Sequence, residues 1–305
     1  MTAVPGLTVG HASDIAAATG CTVVLGPFRA AVDVRGMASG TRQLDSLSPH
    51  HLVGKADALL LTGGSAYGLA AADGVARWIE ERGRGFVTPA GRVAIVPSAV
   101  IYDLGIGDGK RWPDAEMGRS ACEAANRAPV PEGRVGAGAG ASVGKLFGQA
   151  GAMLGGVGSH ATEVDGVIVA AMAVVNAFGD VLDGSGRLLA GARDENGGYI
   201  DTTAFIREHG SPPRFVQQPG TNTTLGVVAT DRPLNRIDLR ALARQAMNAI
   251  VRRTSPANTQ FDGDLVFACS TGAGPGDVSA VELLRLGLCA EAALGRAIER
   301  AVGAR

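Results

Sequence analysis

The chain is poor in aromatic residues, in cysteine and in any excess of one charge. Aromatics make up 4% of its 305 residues, too few to stack a run of bases, and 28 Lys and Arg stand against 29 Asp and Glu for a net charge of -1. No basic field is offered to a polyanion, so nucleic acid is not an expected partner. No apolar run is long enough to cross a bilayer: the longest, Val167 to Val175, has Asp165 and Asn176 close at its ends. The opening MTAVPGLTVGHASD lacks both the basic start and the apolar stretch of a secretory signal. A cytoplasmic protein without membrane contact is expected. Cys21, Cys122, Cys269 and Cys289 lie far apart in apolar surroundings, which suits reduced, packed thiols rather than a disulfide frame or a zinc site. The histidines, His11, His50, His51, His160 and His209, show no metal spacing, and no Ser-His-Asp arrangement is evident. With no linker, repeat or charge block, residues 1–305 are expected to form one domain.

Glycine is abundant instead, at 45 of 305 residues, about twice its usual ~7% share, so much of the backbone must turn tightly or approach other backbone closely. Apolar runs predict strands at Thr22 to Leu25, Ala31 to Arg35, Ala58 to Leu61, Val93 to Val96, Val167 to Val175, Leu225 to Thr230 and Leu265 to Ser270, several covered on both faces. Three- and four-residue apolar spacing predicts helices at Ala66 to Glu81, Pro113 to Ala125, Asp238 to Arg253 and Val278 to Val302. Strands neighbour strands in both halves of the chain. The expected class is therefore a mixed, layered α/β sandwich rather than a strict βαβ repeat.

The stretch Gly136 to Lys145, GAGAGASVGK, imitates a phosphate loop but fails in detail. Ala139 stands where a Walker loop needs Gly, Leu146 where it needs Ser or Thr, and the segment follows Pro129-Val130-Pro131 instead of a strand. What remains is a glycine-rich backbone presenting Lys145. Its neighbours Val143 and Leu146 are apolar and no other charge lies between Arg134 and Glu163, so burial is expected in place of the usual solvated lysine.

Asn222-Thr223-Thr224, ahead of the apolar strand Leu225 to Thr230 and Asp231, carries the most chemistry. A hydroxyl placed after the bendable Pro219-Gly220-Thr221 loop can attack the carbonyl before it, cutting the chain and leaving Thr223 as a new N-terminus. The freed α-amine titrates near ~8 and serves as a base for its own hydroxyl. The same tripeptide fits the N-glycosylation pattern and is common at strand heads, although a cytoplasmic address removes the first of these readings. Asp262-Gly263-Asp264 precedes the strand Leu265 to Ser270; its carboxylates can hold an ammonium or hydroxyl between them, or form a surface turn. Asn176 ends a buried strand, as an oxyanion donor or a strand terminator. Tyr102 supplies a phenol donor or an amphipathic core ring.

Several segments in one order resemble the self-processing N-terminal-nucleophile hydrolases, which include the L-aminopeptidase/D-esterase, the β-aminopeptidases and the nylon-oligomer hydrolases. They are Gly6 to His11, Val32 to Gly36, Leu61 to Leu69, Ser98 to Asp103, Gly136 to Lys145, Val175-Asn176, Asn222 to Thr224 and Asp262 to Asp264, nearly the whole chain. The resemblance implies an αββα sandwich and cleavage into 1–222 and 223–305 that stay together, usually as tetramers of processed heterodimers. It makes Thr223 the nucleophile and Asn222 the residue before the cut, places Lys145, Asn176 and Tyr102 around the reacting carbonyl, and sets Asp262 and Asp264 beside the nucleophile. No metal or organic cofactor is called for, and the expected substrate is a small or peptide-like amide. The threonine and paired aspartates are more similar to the nylon-oligomer branch than to the β-aminopeptidases, which carry serine with serine and glutamate. The rivals are an acyltransferase of the ornithine acetyltransferase kind, which also self-cleaves before threonine, and an assembly that has lost processing.

Overall fold

The structure, a computed structural model, describes residues 1–107, 109–210 and 222–303. Nine strands are joined by hydrogen bonds: β1 (Thr8–Asp14), β2 (Thr19–Val34), β3 (Thr41–Arg42), β4 (Ala56–Thr62), β5 (Ser98–Val100), β6 (Gly156–Val164), β7 (Val167–Asn176), β8 (Thr223–Thr230) and β9 (Leu265–Ser270). Their order is β6-β7-β8-β9-β2-β4-β5-β3, with β1 also on β2. The pairs β8–β9 and β4–β5 are parallel and the others antiparallel. Two expected strands are in fact one. The first part of β2 pairs with β4 and the last part, Arg29 to Val34, with β9, while the register breaks between Leu25 and Phe28. The path therefore folds at β2 into two stacked layers.

Alternation along the strands fixes which side chains meet. Ala170, Met172 and Val174 of β7, Leu225, Val227 and Ala229 of β8, and Leu265, Phe267 and Cys269 of β9 pack with Leu59 and Leu61 of β4 between the layers. The intervening residues, among them Val169, Ala171, Val228 and Val266, turn outward. They bury against α4 (Arg236–Arg253) and α5 (Ala280–Gly303). On the opposite side α1 (Ala71–Glu80) and α2 (Ala115–Glu123) cover Val23, Leu25, Ala58 and Leu60, and a shorter α3 (Thr202–His209) lies apart. The layers run helix, sheet, sheet, helix. Strands buried on both faces explain the apolar runs, at about 1.5–3 kcal/mol for each fully buried large side chain.

Capping sets the helix starts. Asp114, Asp201 and Asn235 accept from the third main-chain N–H beyond themselves at the heads of α2, α3 and α4. The helix expected from Ala66 begins at Ala71, because Gly64 at φ 78° turns the chain into a 3-10 segment over Ser65–Ala70. The strand expected at Val93 to Val96 is corrected: the ladder there is Gly91–Val93 on Phe86–Thr88, and Ile95 instead exchanges main-chain and side-chain bonds with Asp57. Among the described residues no helix is long and apolar enough to cross a membrane.

Candidate active site

The alternation that builds the core also aims the site. Thr223 heads β8 in step with Leu225 and Val227, and Asn176 ends β7 in step with Met172 and Val174. The two face each other in register at the rim between the layers. Thr223 is 5% exposed and Asn176 fully buried. The Thr223 hydroxyl lies over the peptide bond before it and donates to the Asn222 carbonyl oxygen at 2.5 Å. That same oxygen accepts the Gly263 N–H at 2.8 Å, because Asn222 pairs in parallel with Asp262. Gly263 has to be glycine here: a Cβ would stand 2.7 Å from the Thr223 Oγ1.

Lys145 reaches the site from a separate hairpin in which Ser142–Val143 pairs with Met153–Leu154, and its own N–H is held by Phe178 O at 2.9 Å. The glycine-rich segment is thus a short 3-10 turn and a two-residue strand, with no helix to receive a phosphate. Lys145 Nζ donates to Asn176 Oδ1 at 2.8 Å and to Asn176 O at 3.0 Å. Asn176 Oδ1 also accepts from Ser142 N–H at 3.1 Å, while its Nδ2 donates to Tyr102 O at 3.1 Å. The orientation of the Asn176 amide is therefore set from both ends. Tyr102, half-buried, meets this network through its main-chain carbonyl.

Asp262 and Asp264 are each 2% exposed. Asp264 Oδ1 accepts from Thr224 N–H at 2.6 Å and Oδ2 from Asn258 N–H at 3.0 Å; Asp262 Oδ2 accepts from the Thr259 hydroxyl at 2.6 Å and N–H at 2.9 Å. Burial pushes the Asp264 carboxyl up to about 7, the neighbouring Asp262 adds to the rise, and the Thr224 and Asn258 N–H groups and Lys145 oppose it. Asp262 is likewise raised by burial, against its Thr259 donors and Lys145. Burial pulls the Lys145 ammonium down to about 7, resisted by Asp262, Asp103 and Asp264 in that order. A hydroxyl, an amide, a lysine and two carboxylates raised by burial thus share one water-poor corner, with the protonation balance that acyl chemistry draws on.

Each residue singled out from the sequence falls in or beside this corner. Pro219-Gly220-Thr221, the bendable loop, lies outside the described residues. Sequence reasoning missed Gly263 as a donor, Thr259 and Asn258 as supports of the aspartates, and Asp103. Only the hydroxyl and amide types in the segment Asn258-Thr259, shortly before Asp262, signalled any of them.

Sheets stacked between helical layers, with a hydroxyl at the head of a central strand, define the fold of an N-terminal-nucleophile hydrolase. Two solved structures share it: the L-aminopeptidase D-Ala-esterase/amidase of Ochrobactrum anthropi, a variant of that fold (TM-score 0.73, 22% identity, 98% of this chain and 84% of that one), and a β-aminopeptidase of Burkholderia sp. (TM-score 0.72, 22%, 98% and 85%). The chain belongs to peptidase family S58, whose profile matches residues 1–304. An uncharacterised aminopeptidase of Mycobacterium tuberculosis is 44% identical over 289 residues, spanning 90% of this chain and 81% of the relative. The 6-aminohexanoate-oligomer endohydrolase of a Kocuria strain is 33% identical over 274 residues, spanning 88% and 73%. The protein is an enzyme that hydrolyses amide bonds.

Proposed function

We propose that the enzyme first cuts itself between Asn222 and Thr223 and then uses the freed threonine as its nucleophile. The observation that carries this reading is the Thr223 hydroxyl 2.5 Å from the Asn222 carbonyl oxygen, with Gly263 N–H on the same oxygen at 2.8 Å. In the first reaction the Thr223 oxygen bonds to the Asn222 carbonyl carbon, negative charge gathers on the oxygen held by Gly263, and the C–N bond breaks as the nitrogen takes the hydroxyl proton. The ester so formed is hydrolysed by water. This leaves a carboxylate on residue 222 and an amine on residue 223. In turnover that amine, held by Asp262 and Asp264, takes the Thr223 proton. The hydroxyl attacks the substrate carbonyl, Asn176 donates to the oxyanion, and water releases the acyl group.

For substrate we propose amides of flexible ω-amino or β-amino acids, including 6-aminohexanoate oligomers, in preference to ordinary α-peptides. Support comes from the threonine with paired aspartates and from the endohydrolase relative. Carbonyl-gripping groups fixed by Asn176 and Lys145 leave an extended aliphatic chain free to pass. The likeness to proteins named as aminopeptidases makes α-peptide cleavage the competing choice. Assembly of the two cleaved fragments into a cytoplasmic homotetramer completes the proposal, and light scattering of purified protein reports its mass.

Intact-mass analysis tests the nucleophile. Wild type is expected as fragments 1–222 and 223–305, and Thr223→Ala as one full-length chain without activity; fragments of unchanged size from Thr223→Ala would falsify the assignment. Amine release from 6-aminohexanoate oligomers, β-alanyl amides and matched α-dipeptide amides tests the substrate. Cleavage of the α-dipeptides alone moves the enzyme to the aminopeptidase branch.

A further inference from the structure

Asp103 takes part in none of these steps, yet it is 2% exposed and both its oxygens are occupied. Oδ1 accepts from Gly64 N–H at 2.7 Å and Oδ2 from the Thr19 hydroxyl at 2.8 Å. Two glycines close the socket. A Cβ on Gly63 would stand 2.0 Å from Asp103 Oδ2, and one on Gly140 2.7 Å from the Asp103 Cβ. Two segments that self-cleavage leaves unused, Leu61 to Leu69 with its double glycine and the glycine-rich run before Lys145, therefore converge on one carboxylate. Two donors on two oxygens is the bonding pattern of an ionised group. The residue before it, Tyr102, gives its carbonyl to Asn176 Nδ2, and on the far side of that amide stands Lys145. Burial raises the Asp103 carboxyl, while Gly64, Thr19 and Lys145 draw it back.

We propose that Asp103 is a positioning residue of the hydrolytic site: anchored by Gly64 and Thr19, it fixes the Tyr102 carbonyl that orients the Asn176 amide and supplies one of the negative charges facing the Lys145 ammonium. The inference rests on the roles given above to Asn176 and Lys145, with Lys145 acting in its charged form. The other groups that titrate around Lys145 are Asp262, Asp264 and the freed Thr223 amine, and all three are retained in the variants below.

The test is kcat against pH for a 6-aminohexanoyl or β-alanyl anilide with wild type, Thr19→Val and Asp103→Asn. Asparagine fits the same socket, its Oδ1 toward Gly64 N–H and its Nδ2 toward Thr19 Oγ1, which then accepts. Removing a negative charge beside Lys145 lets its proton leave more easily, so the alkaline limb moves to lower pH by about one unit in Asp103→Asn. In Thr19→Val the carboxylate loses a donor and protonates more readily, giving a smaller move in the same direction. Melting temperatures stay near that of wild type. A purely structural Asp103 leaves the limb in place in both variants, whatever happens to the rate, and that result overturns the proposal. If Asp103→Asn does not fold, the limb in Thr19→Val decides alone. Absence of all amide hydrolysis in wild type would instead strike the reading of the site itself.

Discussion

Two clusters of buried carboxylates in this molecule follow opposite plans. Between α4 and α5, Glu291 and Glu299 are 8% and 9% exposed, and each meets arginine. Arg253 and Arg296 lie 2.7 and 2.8 Å from Glu299, and Arg252 lies 3.1 Å from Glu291, which also takes the Gln245 amide at 2.7 Å. At the strand ends Asp103, Asp262 and Asp264 are buried more deeply and rely on neutral N–H and O–H donors, with Lys145 acting on all three. A carboxylate met by guanidinium has a fixed opposite charge set against it. Those held by neutral donors in a dry corner are instead raised by burial, Asp264 to about 7. The first arrangement fastens two helices together; the second holds protons ready to move.

The sharpest way to break this contrast is to neutralise one member of each cluster. Asp264→Asn is expected to slow self-cleavage and turnover by about 10²–10⁴ with little loss of melting temperature, measured by the fraction processed over time and by amine release. Processing and turnover at wild-type rates would reduce Asp264 to a structural acceptor for the Thr224 and Asn258 N–H groups. Arg253→Ala is expected to do the reverse. It strips the inner partner from Glu299 and leaves Arg296, which costs about 1–3 kcal/mol, read as a lower denaturant midpoint with self-cleavage intact. Similar midpoints for wild type and Arg253→Ala would remove the helix cluster from the stability account.

The smallest effect concerns pH. In the folded chain the Lys145 pKa is lowered from 10.5 to about 7, so between those values the unfolded chain holds a proton that the folded one lacks. Stability from this group is complete above the unfolded pKa and is lost as pH falls through the folded one. Its slope between is at most about 1.4 kcal/mol per pH unit, rising with pH. Urea midpoints at pH 7.5 and 9, measured in a Thr223→Ala background that keeps one chain, should diverge between Lys145 and Lys145→Met. Parallel behaviour of the two would place Lys145 in water.

How far the sequence reached depends on what kind of group carries each contact. Thr223, Asn176, Asp262 and Asp264 were legible because each sits at the end of an apolar run, and the alternation of that run decides where its end points. Lys145 was legible through the lack of charge around it. Gly263 was not, since its contribution is a main-chain N–H that any residue possesses, and only the neighbouring strand reveals what it bonds. Asp103 was passed over although the segment holding it was noted: its partners Thr19 and Gly64 lie 84 and 39 residues away, beyond the reach of local pattern. Among the nine strands, β1, β3, β5 and β6 were missed. In β6, an edge strand, Ser159, His160 and Glu163 interrupt the apolar pattern where one face meets solvent.

The strand that begins at Thr223 is stitched on both sides, antiparallel to β7 from its first residue and parallel to β9 from Leu225. With the proposed cut before Thr223, nothing in that ladder is lost, yet the route back from the denatured state changes in kind. The precursor brings β8 to β7 through its own backbone, a unimolecular search. Separated fragments must meet by diffusion, each carrying unpaired strand edges. Recovery of such a two-fragment enzyme after heating depends on concentration and competes with aggregation, so the proposed cut makes endurance a matter of lifetime rather than of a reversible midpoint.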